Sequence, residues 1–144
     1  METTQNFSNH TRWHPPFHFF VLPVMLINVI WAIVVFVKAP ESNSGWWIVV
    51  SLALLMLSLF VRTYSIKLQD RLIRLEESVR YHQILSPAVI QQAAALTTRQ
   101  VIALRFAPDD ELESLIGQTL AGNFEKTTNI KQAIKNWRED TFRV

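Results

Sequence analysis

"FHFFVLPVMLINVIWAIVVFV", Phe17 to Val37, decides the fold: 21 consecutive residues carry no formal charge at neutral pH, and only His18, Pro23 and Asn28 interrupt the apolar run. As an α-helix rising about 1.5 Å per residue it is about 31 Å long, enough to cross about 30 Å of hydrocarbon. A helix at the surface of a soluble domain has an apolar stripe and a polar back. This run has no polar back, which points to lipid on every side. A secretory signal has an apolar core of only about 7–15 residues, so the segment reads as an anchor that stays in place.

The second apolar run, Trp46 to Val61, is "WWIVVSLALLMLSLFV", 16 residues or about 24 Å of helix. It is short for a span unless its flanks contribute. Trp46 and Trp47 mark one boundary, and Arg62 and Tyr64 suit the other, where a long cation snorkels and an aromatic hydroxyl meets headgroups. Between the runs, "KAPESNSG" from Lys38 to Gly45 has turn chemistry. A connection of eight residues makes the helices antiparallel, as a transmembrane hairpin.

Charge orients the hairpin. Arg62, Lys67, Arg71, Arg74 and Arg80 follow the second run, against Lys38 in the turn and Arg12 before the first. Both termini are therefore expected in the cytoplasm. Asn28 lies near the middle of the first span, where an amide needs a partner; Ser51 and Ser58 on the second run are the candidates for an interhelical polar contact. Neither span holds Asp, Glu, Lys or Arg, which argues against an ion path.

Ahead of the first span, "NHTRWHPPFHFF" spaces His10, His14 and His18 by four, a helical spacing that suggests metal ligands. Pro15 and Pro16 are expected to interrupt that helix, and no acid lies nearby. The segment reads instead as an interfacial entry, with Trp13 and His18 at headgroup level and no metal.

After Val61 nothing breaks the helix before Pro87. Leu68, Leu72, Leu75 and Val79 follow 4-3-4 spacing, a narrow apolar seam on a helical stalk. We expect the seam to pack on the protein's own tail, with dimerisation as the alternative; Asp70 with Arg74, and Glu76 with Arg80, are expected as i,i+4 pairs on the wet side. The tail, residues 86–144, reads as three or four short helices: Ser86–Pro87 and a threonine begin two of them, Pro108 with four acids begins the next, and Gly122 stops it. Asp109, Asp110, Glu111 and Glu113 read as first-turn acids facing the helix dipole. The organisation is thus an interfacial segment at 1–16, a two-helix hairpin at 17–61, a stalk at 62–85 and a small helical domain at 86–144, an all-α membrane protein.

The tail balances seven basic against seven acidic residues, so no phosphate-neutralising excess supports nucleic-acid binding. Lys131, Lys135 and Arg138 are the candidates for contact with lipid headgroups or a partner. The chain has no cysteine and only three glycines, which removes thiolate chemistry and phosphate-cradling loops. No catalytic residue, cofactor site or metal site is read from it. The function expected is a non-catalytic accessory or scaffold subunit embedded in the bilayer beside other membrane subunits or copies of itself. The alternative is a membrane-anchored sensor whose tail binds anionic lipid, a ligand or a partner; a small transporter built around Asn28 is the third reading.

The pieces "QNFSNHTRWHPPFHFF", "KLQDRLIRLEE", "LTTRQVIALRFAPDDEL" and "IKQAIKNWREDTFRV" together resemble a bacterial family of small two-pass membrane proteins, domain of unknown function number six-five-two-six. The resemblance covers nearly the whole chain. It implies two spans and a cytoplasmic tail in the inner membrane, and it brings no activity with it. "WHPPFH" departs from the family pattern of a single proline, so the resemblance carries His18 but not His14.

Overall fold

A computed structural model describes residues 5–9 and 14–140. Among them there is no strand; six α-helices follow one another: α1 Leu22–Lys38, α2 Ser42–Ile84, α3 Pro87–Ala93, α4 Thr98–Leu104, α5 Asp109–Leu120 and α6 Thr127–Ala133. A π-helical turn, Pro16–Val21, leads into α1. The chain divides into two compact units, Trp13–Ile66 and a second made of Met1–Arg12 with Lys67–Val144.

In the first unit, Pro15 and Pro16 are themselves helical, and the described helix begins at them with His14 outside it. Both stand at the start of the helix, where a missing N–H costs nothing, and the His14 carbonyl accepts from the N–H groups of Phe17 and His18, both at 3.1 Å. The widened turn that follows has a local cause. Pro23 lacks an N–H and its ring crowds the carbonyl four residues back; in the i→i+5 register the Leu22 N–H reaches Phe17 O just before that point.

Two helical stretches, Pro16–Lys38 and Ser42–Ile84, are long and apolar enough to cross a membrane, and little of their most apolar windows is buried in the protein. The link between α1 and α2 is only Ala39–Glu41, shorter than the eight-residue turn read from composition. Ser42 to Gly45 instead form the first turn of α2. The Glu41 N–H donates to Ser44 Oγ at 3.1 Å, and the Gly45 N–H donates to the Glu41 carbonyl at 3.0 Å, so polar residues that resemble a loop are satisfying a helix end.

The second unit has its own core. Leu104, Phe106, Leu112, Ile116 and Ile130 are fully buried, joined by Val101 and Leu115 from the short helices, by Ile134 just after α6, and by Tyr81 and Leu85 from the end of α2 and just beyond it. Thr97 caps α4: its Oγ1 accepts from the Gln100 N–H at 3.3 Å while Gln100 Oε1 accepts from the Thr97 N–H at 2.8 Å, a closed capping box. The α5 helix ends at Leu120, and Gly122 takes φ +78°, the left-handed position that stops a helix. The last helix ends at Ala133 although Ile130, Ala133, Ile134 and Trp137 continue one apolar stripe in the sequence; Trp137 lies beyond it and stacks on Phe106 with ring centroids 4.8 Å apart.

Candidate functional site

The densest polar arrangement lies in the second unit, on the side of α2 opposite its leucines. Glu77 and Arg80 are three residues apart on one helical face, and both are buried. Arg80 donates from Nη1 to Glu77 Oε2 at 3.0 Å, from Nε to Asp109 Oδ1 at 2.9 Å, and from Nη2 to the Ala107 carbonyl at 2.8 Å. The other Glu77 oxygen accepts from Arg138 Nη1 at 3.1 Å, and Arg105 Nε lies 3.1 Å from Asp140 Oδ2. The buried Glu77, Arg80 and Arg105 thus join α2 and the end of α4 to more exposed partners, Asp109 at the start of α5 and Arg138 and Asp140 near the end of the described chain.

Burial pushes the Glu77 carboxyl above its ordinary range, with the guanidinium groups of Arg80 and Arg138 pulling the other way. The Tyr81 hydroxyl is raised as well, mainly by burial and then by the adjacent Glu77 charge. A cavity of about 340 Å³ borders the cluster, lined by Glu76, Glu77, Glu139 and Asp140 against Arg105 and Arg138. Acids outnumber bases in that lining, so it does not suit an anion. Among the described residues no group of three or more His, Cys, Asp or Glu is arranged to hold a metal. The geometry is that of a clasp: paired charges that fix one packing of the unit.

Glu111 extends the clasp. Its carboxylate accepts from the backbone N–H groups of Lys135 at 2.9 Å and Asn136 at 3.0 Å, and from Asn136 Nδ2 at 3.0 Å. The acids at the start of α5 therefore do more than meet the helix dipole. Two of them, Asp109 and Glu111, reach segments distant in sequence.

In the first unit, Ser51 Oγ donates to Asn28 Oδ1 at 3.0 Å. Ser51 is buried, and Asn28, Trp31, Ala32, Val35, Trp47 and Ser51 are among the residues lining a cavity of about 420 Å³. Ser58 is not part of this contact, since its hydroxyl donates to the Leu55 carbonyl of its own helix at 2.7 Å. Trp46, Trp47 and Tyr64 are exposed, the Arg62 guanidinium lies 5.9 Å from the Phe17 ring centroid, and Trp13 falls outside the described residues.

The seam is where expectation and structure part. Leu68, Leu72, Leu75 and Val79 are 69, 54, 62 and 52 % exposed. The face of α2 that is buried in this unit is instead Ile73, Glu77, Arg80 and Tyr81. Arg80 thus leaves the wet side assigned to it: Asp109 and the Ala107 carbonyl offer more than Glu76 does across one turn. Arg74 stays exposed and donates to Thr98 Oγ1 at 3.1 Å.

The model of DUF6526, a family of unknown function, matches residues 1–144. The chain belongs to DUF6526. No curated protein and no solved structure matches it.

In the DUF6526 chain the remaining sequence candidates are scattered. Arg138 donates to the buried Glu77 and Lys131 Nζ sits 5.4 Å from the Phe106 ring centroid, while Lys135 and the Arg138 side chain are exposed. His18 Nδ1 lies 3.0 Å from the His14 carbonyl, and His10 is outside the described residues. Sequence reasoning missed Glu77, Arg80, Arg105 and Asp140. A signal existed for two of them: Glu77 and Arg80 share a helical face with Ile73, opposite the leucine seam.

Proposed function

We propose that this chain is a non-catalytic accessory or scaffold subunit of a larger complex in a bacterial cytoplasmic membrane. On this reading the two apolar helices form an antiparallel transmembrane hairpin, the later part of α2 is a stalk, and the second unit, with both termini, is cytoplasmic. The carrying observation is the exposure of large apolar side chains along both helices, among them Phe19, Ile27, Trp31, Val37, Trp46 and Leu57. Surface of that extent is stable in lipid and not in water.

Two further features support the topology. Lys and Arg concentrate after the second apolar run, the bias of a cytoplasmic side. Residues that precede the first apolar helix and residues that follow the second share one compact unit, as an even number of crossings requires.

Tagged protein in carbonate-washed membranes tests the anchor, and purification in mild detergent tests the complex. Retention in the membrane with stoichiometric partners is expected. Release into the soluble fraction removes the anchor, and a solitary monodisperse monomer removes the accessory role.

A further inference from the structure

The leucine face of α2 is exposed along Leu68, Leu72, Leu75 and Val79, and charged residues flank it. Leu68 and Leu75 take the d positions of a heptad and Leu72 and Val79 the a positions. The buried residues Ile73, Glu77, Arg80 and Tyr81 fall at b, f, b and c, the outward side of a coiled coil. The protein's own helices thus use one side of α2 and leave the a/d side open. Arg71 falls at g and Glu76 at e; both are exposed, and neither makes an ion pair among the described residues.

These two positions decide orientation. In a parallel pair of helices, g of one heptad meets e of the next heptad on the partner, five positions later, so Arg71 faces Glu76 of a second copy, and the reverse contact repeats it by symmetry. In an antiparallel pair g meets g and e meets e, placing Arg71 against Arg71 and Glu76 against Glu76. Copies inserted in one bilayer with one orientation can only meet in parallel, so this inference rests on the membrane reading above.

We propose that Leu68, Leu72, Leu75 and Val79 form the seam of a parallel homodimer, with Arg71 of each copy paired to Glu76 of the other. The seam is short, and a soluble peptide of this length would associate weakly. Confinement of both copies to a membrane raises their effective concentration and removes that obstacle.

The absence of cysteine from the chain allows a clean test. Full-length protein in its native membranes is given a single cysteine by Leu72→Cys or Leu75→Cys, or on the outward side by Asp70→Cys, and is oxidised. Both seam variants are expected to form covalent dimers and the outward variant to form few. Adding Arg71→Glu or Glu76→Arg to Leu75→Cys should lower the cross-linked fraction several-fold, and both reversals together should restore it. Equal cross-linking at position 70, indifference to the charge reversals, or cross-links to a different protein would each overturn the proposal. Membrane retention of the same samples separates this failure from that of the anchor: protein that stays in the membrane without cross-linking sinks only the homodimer.

Discussion

Asp140 donates its backbone N–H to the Gln5 side-chain carbonyl at 2.7 Å, across 135 positions of sequence, and the Gln5 N–H answers to Glu139 Oε1 at 3.2 Å. Between them lie both helices apolar enough to cross a membrane. A chain that brings these ends together cannot leave them on opposite faces of a bilayer. Single cysteines introduced by Gln5→Cys and Asp140→Cys should therefore react with an impermeant maleimide from the same side: in inverted inner-membrane vesicles and not in intact cells. Labelling of the two positions from opposite sides would overturn the proposed two-pass arrangement.

The clasp around Arg80 predicts a large and one-sided effect. Arg80→Ala leaves the buried Glu77 carboxylate with Arg138 alone and strips Asp109 and the Ala107 carbonyl of their donor; a loss of about 3–5 kcal/mol is expected. Hydrogen exchange on the full chain in detergent should show protection falling in α4 to α6 and unchanged in α1.

Glu77 gives that unit a pH dependence of definite sign. Its folded pKa lies above the ordinary 4.5, so between those two values the folded unit holds the proton more tightly than the unfolded chain. Its contribution is fully present below 4.5 and is lost as pH rises through the raised value. Glu77→Gln should flatten this component. The difference between wild-type and variant melting temperatures, followed from acid to neutral pH, measures it, and a constant difference would refute the assignment.

Gly117 and Gly122 should respond to the same substitution with opposite signs. Gly117 sits inside α5 with nothing within 4 Å of an added Cβ, so Gly117→Ala should stabilise by about 0.5–1 kcal/mol. Gly122 has equal space but a φ of +78°, so Gly122→Ala should cost about 1–2 kcal/mol. Thermal unfolding of the two variants side by side checks the pair.

Removal of the amide at position 28 tests the apolar unit. Asn28→Leu or Ser51→Ala should each lose about 0.6–1.7 kcal/mol, and the double variant little more than either, because both delete one bond. Denaturant titration in mixed micelles reads the cycle.

The two helices apolar enough to cross a membrane were legible because bilayer thickness sets a length, and 21 uncharged residues meet it without tertiary information. Asn28 announced its need for a partner for the same reason: an amide in an apolar run has few alternatives. The capping of α4 by Thr97 and the stop at Gly122 are local effects and were readable as such. Arg80 was not. Helix rules pair it with Glu76 one turn away, whereas Asp109, its actual partner, is 29 positions distant and is brought near only by the packing of α5. The stripe of Leu68, Leu72, Leu75 and Val79 was expected against the protein's own tail and is exposed instead, since periodicity finds an apolar stripe without naming what covers it. The link between α1 and α2 was read as too long because Ser44 serves a helix end with the same hydroxyl chemistry that builds turns.

The split character of α2 makes this protein amenable to genetics. Lesions at Ile73, Glu77, Arg80 or Tyr81 corrupt the chain that carries them and are recessive, because a misfolded product is cleared and an intact allele compensates. Lesions on the leucine side touch no side chain buried in the unit, so they are expected to leave a folded product in normal amount. Product abundance, scored by simple immunoblotting, is therefore expected to tell the two sides of one helix apart without any structural measurement.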